Sequence, residues 1–213
     1  EPVGLLVAVD EEGQVVWYYQ NPPAANDARL TPAGTILVQY PPVGIREIDL
    51  LGTTLRSWTW GDPEGDDPRT VNVDTESDIR SFHHEAHLTP SGNILTLGIG
   101  DRRLTRAQQA ACEEDEPFGI AEDVVIEFTP EGEVLGEWPL ADVIDPEDVP
   151  GTALCRETGD TRDWAHANGV ILDEDRNAVI VTARHLDLTL AFRHEDDAAG
   201  PSGELLWSLG PDG

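Results

Sequence analysis

ARLTPAGTIL at residues 28–37 and AHLTPSGNIL at residues 86–95 match at seven of ten positions, and this internal repeat decides the fold class. Each copy carries Pro-x-Gly, a tight turn, followed by apolar residues such as Ile94, Leu95 and Leu97. That pattern predicts a hairpin between two short strands. A weaker copy, GVILDEDRNAVIVT, runs from 169 to 182 with its turn from Asp173 to Asn177.

A second unit interleaves with the first: VAVDEEGQVVWYY (7–19), IREIDLLGTTLRSW (45–58), VVIEFTPEGEVLGEW (124–138) and LAFRHEDDAAGPSGELLW (190–207). Each has an alternating strand, a Gly-containing turn and a second strand ending in tryptophan. Trp17, Trp58, Trp138 and Trp207 are therefore one structural position seen four times, expected to pack between neighbouring units. One unit of each kind gives four antiparallel strands, the content of a β-propeller blade. The predicted fold is all-β, one propeller domain over 1–213 with about three full blades and an outer half-blade at the N-terminus. Closure takes about 4–8 blades, so the domain is expected to be incomplete at its C-terminus, its ring completed by further chain or a second copy. The first residue is Glu1 and methionine is absent, which reads as a mature or trimmed segment.

Two segments break the rhythm. Residues 99–123 include LTRAQQAA, a predicted short helix starting near Thr105; residues 140–163 are rich in Pro, Gly and acids. Each holds one cysteine, Cys112 and Cys155, and a disulfide between them would fit an oxidising compartment. Such insertions on one face of a repeat array commonly build the binding face.

Asp and Glu number 42 against 13 basic residues, all arginine, for a net charge of −29. This field repels nucleic acid and anionic lipid, so neither is an expected partner. No apolar run is long enough to span a membrane. Against this background two histidine segments stand out. SFHHEAHLTP (81–90) places His83, His84 and His87 in or just before a strand, and strict alternation would put His83, Glu85 and His87 on one face and His84 on the other. DWAHANGV (163–170) puts His166 and Asn168 on one strand face, and TARH (182–185) brings Arg184 on the neighbouring strand. A guanidinium beside imidazoles suits a tetrahedral oxyanion, and Arg184, His166 and His83 or His84 would form a local positive island.

The run DWAHANGVILDEDRNAVIVTARH, closing with GELLWSLG at 203–210, resembles bacterial arylsulfate sulfotransferases, and HHEAHLTPSGNIL is similar to a second motif of that family. The resemblance spans roughly residues 80–210. It implies a six-bladed propeller, periplasmic or extracellular, that moves a sulfuryl group from an aryl sulfate to a phenol through a histidine, without a nucleotide donor or other cofactor. His166 and Arg184 would be sulfate ligands with Asn168 beside them, and His83 or His84 the other histidine of the centre. Gly169 and Ala183 stand where the family has serine. The family's sulfurylated histidine belongs to a motif beyond the Trp-x-Leu-Gly strand, which lies outside these 213 residues.

Three rival readings are testable. A metal could use His83, His84, Glu85, His87 and His166; the acidic stretch 61–78 could hold calcium but lacks ordered ligand spacing; and a propeller of this kind could be a non-catalytic extracellular binding or assembly module.

Overall fold

Five hairpin turns share one construction. Asp10, Thr31, Asp49, Thr89 and Thr129 each accept a backbone bond from the glycine three residues on, at 2.8–3.0 Å. The side-chain oxygen of each accepts the N–H four residues on, as Thr31 Oγ1 does from Thr35 (3.2 Å) and Asp49 Oδ1 from Thr53 (2.8 Å). Gly34 and Gly92, in the two copies of the repeat, have φ of 79° and 89°, a conformation that favours residues without a Cβ.

The computed structural model describes residues 4–21, 25–40, 44–61, 67–109, 112, 118–148, 154–155 and 161–210. Its strands form four sheets in chain order. The first is the antiparallel pair β1 (Gly4–Val9) and β2 (Val15–Asn21). The second holds β3 (Asp27–Leu30), β4 (Ile36–Tyr40), β5 (Gly44–Ile48) and β6 (Thr54–Trp60) in antiparallel order, with β7 (Thr70–Val73) added parallel to β6. The third runs β8 (Ile79–Leu88), β9 (Ile94–Arg103), β10 (Gly119–Phe128) and β11 (Val134–Pro139), with β12 (Thr161–Arg162) parallel to β10. The fourth is β13 (Ala167–Asp173), β14 (Ala178–Ala183), β15 (Leu188–Arg193) and β16 (Leu205–Leu209). The predicted all-β class and its hairpins are present.

Consecutive sheets share their cores. Leu6, Trp17 and Tyr19 pack on Ile36, Val38, Tyr40 and Ile48. Ile45 and Trp58 join Phe82, Val124, Ile126 and Phe128, and Leu97, Val125 and Trp138 join Val170, Val181 and Phe192. The repeated tryptophan explains part of this succession. Trp17 Nε1 donates to the Leu50 carbonyl (2.8 Å), Trp58 Nε1 to that of Pro130 (2.9 Å) and Trp138 Nε1 to Ser202 Oγ (2.8 Å). Each bond runs from one sheet to the outer turn of the next. Trp207, in the last sheet, is 43% exposed.

The first strands of the last three sheets meet at β8, which contacts both β3 and β13, and Glu85 ties the three together. Its carboxylate accepts from Arg29 Nη2 (2.7 Å) and from the Val170 N–H (2.7 Å). His87 contacts the Val170 carbonyl from the same strand as Glu85. Burial opposes ionisation of Glu85, yet the bonds from His87 and Val170 and the charge of Arg29 hold its pKa below the ordinary value.

Both irregular segments dock on the third sheet. The first is narrower than its sequence suggests, because β9 runs to Arg103 and β10 starts at Gly119. A short helix, α1 (Arg106–Gln109), starts as expected: Thr105 Oγ1 accepts from the Gln108 N–H and Gln108 Oε1 from the Thr105 N–H, a reciprocal cap. In the second, α2 (Leu140–Val143) packs against β10. Arg162, 1% exposed, lies over the Phe118 ring at 3.6 Å and donates to the Leu154 carbonyl (3.2 Å), joining the two segments. Cys112 and Cys155 form a disulfide beside it.

Glu122, on β10, is 5% exposed, and burial pushes its pKa up to about 7 despite the Ala141 N–H and Arg102. The folded chain thus holds this proton more tightly than the unfolded chain, so stability falls as pH rises from about 4.5 to about 7. Glu122→Gln is expected to raise unfolding free energy by on the order of 2 kcal/mol at pH 8 and by little at pH 4. Denaturant melts at the two pH values check this, and an equal effect at both would contradict it.

Candidate functional site

Strict alternation along β8 fails where the histidines lie. The register to β9 passes from His83↔Leu97 to Ala86↔Thr96, a bulge, and His84 inside it has a left-handed φ of 57°. Consecutive histidines that a regular strand would send to opposite faces are thereby brought together, with Nδ1 of His83 and His84 2.8 Å apart. Glu85 and His87 turn instead to the strand clamp described above. The bulge separates HHEAH into a chemical half and a structural half.

His166 also departs from strand geometry. It precedes β13, has φ 50°, and is followed by a register shift between Ala167 and Gly169. Left-handed backbone at a residue with a Cβ costs about 1–2 kcal/mol, and such outliers gather at functional sites. The Arg184 N–H donates to the His166 carbonyl (3.1 Å) and the His185 N–H to that of Ala165 (3.0 Å). The segment after β14 therefore holds the His166 loop in place.

Three imidazoles follow one another: His84 and His166 ring centroids are 5.4 Å apart, those of His166 and His185 4.7 Å. Each has its Nδ1 engaged. His166 Nδ1 pairs with the Asp163 carboxylate, His185 Nδ1 contacts the Asp163 carbonyl oxygen (2.6 Å), and His84 Nδ1 faces His83. His83 is 8% exposed and lies behind His84, its Nε2 3.3 Å from Oδ1 of Asp123. Burial, reinforced by His83 and His166, lowers the His84 pKa and favours its neutral form.

Arg184 is exposed, and its guanidinium has no hydrogen-bond or ion-pair partner among the described residues. Asn168 Oδ1 accepts from Thr182 Oγ1 (2.9 Å), which leaves its amide N–H groups as donors. A Cβ at Gly169 would meet that same Thr182 oxygen at 2.6 Å, so the threonine hydroxyl fills the space that a side chain at 169 would need.

The sequence-named residues thus divide. His83, His84 and His166 come together, Arg184 borders them through its backbone, and Asn168 is two residues past His166. Asp123, Asp163 and His185 join them without having been singled out. Asp163 and His185 lie in the quoted motifs, three residues before His166 and next to Arg184; nothing in the sequence marks Asp123. Asp163, His166 and His185 carry ligand-type atoms within 4.8 Å of one another, but these groups are already bonded among themselves. In the acidic stretch 61–78, residues 62–66 lie outside the described residues, and Asp67 is engaged by Arg69 (2.6 Å).

A cleft of about 900 Å³ opens elsewhere, at the end of the strands that carries the β8–β9 and β13–β14 turns. Glu127, Glu137, Glu174, Glu195 and Asp196 line it. Its charge is wrong for an anion, and the histidine group outweighs it as the candidate centre.

The arylsulfotransferase family model matches residues 4–213. Among solved structures, a protein of unknown function from Bacteroides caccae is similar at 19% identity and TM-score 0.51, over 99% of this chain and 58% of that one. That likeness concerns the fold alone. A mannose phosphorylase from Leishmania mexicana (14% identity, TM-score 0.33, 90% of this chain and 59% of that one) and a GDP-Man-dependent mannosyltransferase from the same organism (15%, 0.36, 90% and 60%) are more distant. This chain spans less than two thirds of the length of each of these structures. No curated protein matches it.

Proposed function

The chain belongs to the arylsulfotransferase family, and from that premise we propose that it contributes the anion-binding half of a centre transferring a sulfuryl group from an aryl sulfate to a phenol. The observation that carries this reading is the grouping of His84, His166 and His185 beside Arg184, whose cation has no partner among the described residues, in a chain of net charge −29. His166 and Arg184 hold the sulfate oxygens, with the Asn168 amide beside them. His166 keeps the Asp163 carboxylate on Nδ1, and a proton carried on Nε2 would donate to a sulfate oxygen. Such groups stabilise charge as it develops on the transferring group. His84 is the other histidine of the centre, and His83 supports it from behind. The histidine that takes the sulfuryl group covalently is assigned, by the family resemblance, outside these residues.

The successive antiparallel runs β3–β6, β8–β11 and β13–β16, with their first strands β3 and β13 both beside β8 and a repeated tryptophan bond between sheets, support reading them as propeller blades around a central channel. The disulfide fits a periplasmic or extracellular location, and no helix among the described residues is long and apolar enough to cross a membrane.

Binding is the first test, because it does not require the nucleophile. Calorimetry with nitrophenyl sulfate is expected to show binding that Arg184→Ala weakens at least about tenfold, one lost charge-assisted contact. Equal affinity in the variant would overturn the assignment. Intact mass after exposure to the same ester separates catalysis from binding: a gain of one sulfuryl group marks a covalent transferase. Binding without a gain favours the non-catalytic module.

A further inference from the structure

Asp123, on β10, is 1% exposed. Its Oδ2 accepts the Ala167 N–H (3.0 Å), fixing the first residue of β13. Among the described residues its Oδ1 has no hydrogen bond, and neither does the buried Nε2 of His83, 3.3 Å away. Leaving two buried polar atoms unpaired costs about 1–3 kcal/mol each, so a proton between them is strongly favoured. A carboxylate has only acceptors; the proton therefore belongs to His83 Nε2.

With a single ring proton, on Nε2, His83 has a lone pair on Nδ1. The 2.8 Å approach of its Nδ1 to His84 Nδ1 then requires the proton of His84 to be on Nδ1. We propose that Asp123, acting through His83, is the positioning residue that holds His84 in the tautomer with Nδ1 protonated and an unprotonated Nε2. The β8 bulge exists in this view to bring two adjacent imidazoles nitrogen to nitrogen.

This gives His84 a different task from His166. His166 is backed directly by a carboxylate and suits a bound anion. His84 is backed by an imidazole and presents a lone pair, which a sulfate oxygen cannot use but a hydroxyl can. Resting on the function proposed above, His84 is the group that receives the O–H of the phenolic acceptor.

The test is the tautomer itself, read from long-range ¹H–¹⁵N correlations of ring-labelled histidine at about pH 8, above the ordinary histidine range. His84 is expected to show protonated Nδ1 and bare Nε2. In Asp123→Asn the amide oxygen stays on the Ala167 N–H, so the NH₂ faces His83 Nε2 and forces the proton of His83 to Nδ1. The His84 pattern is then expected to invert. His83→Phe removes the acceptor, and both tautomers of His84 are expected to populate; this variant serves if Asp123→Asn does not fold. A wild-type His84 protonated on Nε2, or a pattern unchanged in these variants, overturns the relay. The relay stands if the tautomers follow this pattern while nitrophenyl sulfate fails to bind, and only the functional reading falls.

Discussion

With the nucleophile-bearing segment present, replacing His166 with glycine is expected to reduce aryl sulfate turnover about a thousand-fold while changing stability by no more than about 1 kcal/mol. On the proposed function, the loss follows from removing a group that stabilises charge at the transferring sulfuryl, an effect of about two to three orders of magnitude in comparable sites. Small stability change follows from the backbone. His166 holds φ 50°, where a Cβ costs about 1–2 kcal/mol that glycine does not incur, offset by the greater freedom of glycine in the unfolded chain. The Asp163 side chain is 29% exposed, so water reaches the oxygen that His166 leaves. Turnover and a urea melt on the same preparation check both halves. Persistent turnover would remove His166 from the centre, and a large loss of stability would make its pairing with Asp163 structural.

Converting both Cys112 and Cys155 to serine is expected to lower unfolding free energy by about 4 kcal/mol, the chain-entropy value for a loop of this length. The cross-link joins residues 43 apart, and the loop contains β10, β11 and α2. Both sulfurs belong to the cluster that includes Leu104, Phe118, Leu154 and Trp164, so the bond pins the irregular segments beside the His166 loop. Denaturant melts of the oxidised protein and the double variant measure this. An unchanged midpoint would mean that the unfolded chain already keeps this loop closed.

Much of the fold was legible because it is written in local, repeated signals. Pro-x-Gly turns and period-two apolar runs act within a few residues, and the hairpins, the capping of α1 by Thr105 and the turn at Asn177 all lie where the pattern puts them. The four tryptophans were readable as one position for the same reason. Their hydrogen bonds were not, because each partner lies 33 to 72 residues away. The site was half legible. His83, His84, His166 and Arg184 stood out chemically, yet strand periodicity placed His83 with Glu85 and His87.

By itself, then, the sequence determined an all-β repeat protein, its family, its disulfide-bearing segments and the residue types of its centre, since each depends on spacing along the chain. Only the tertiary structure decided that a bulge turns His84 toward His83 and His166, that Glu85 and His87 tie β8 to its neighbours β3 and β13, and that Asp123 and Asp163 back the histidines. The reason is physical. A bulge and a left-handed histidine are locally unfavourable, and they persist here through contacts between sheets that no local pattern encodes.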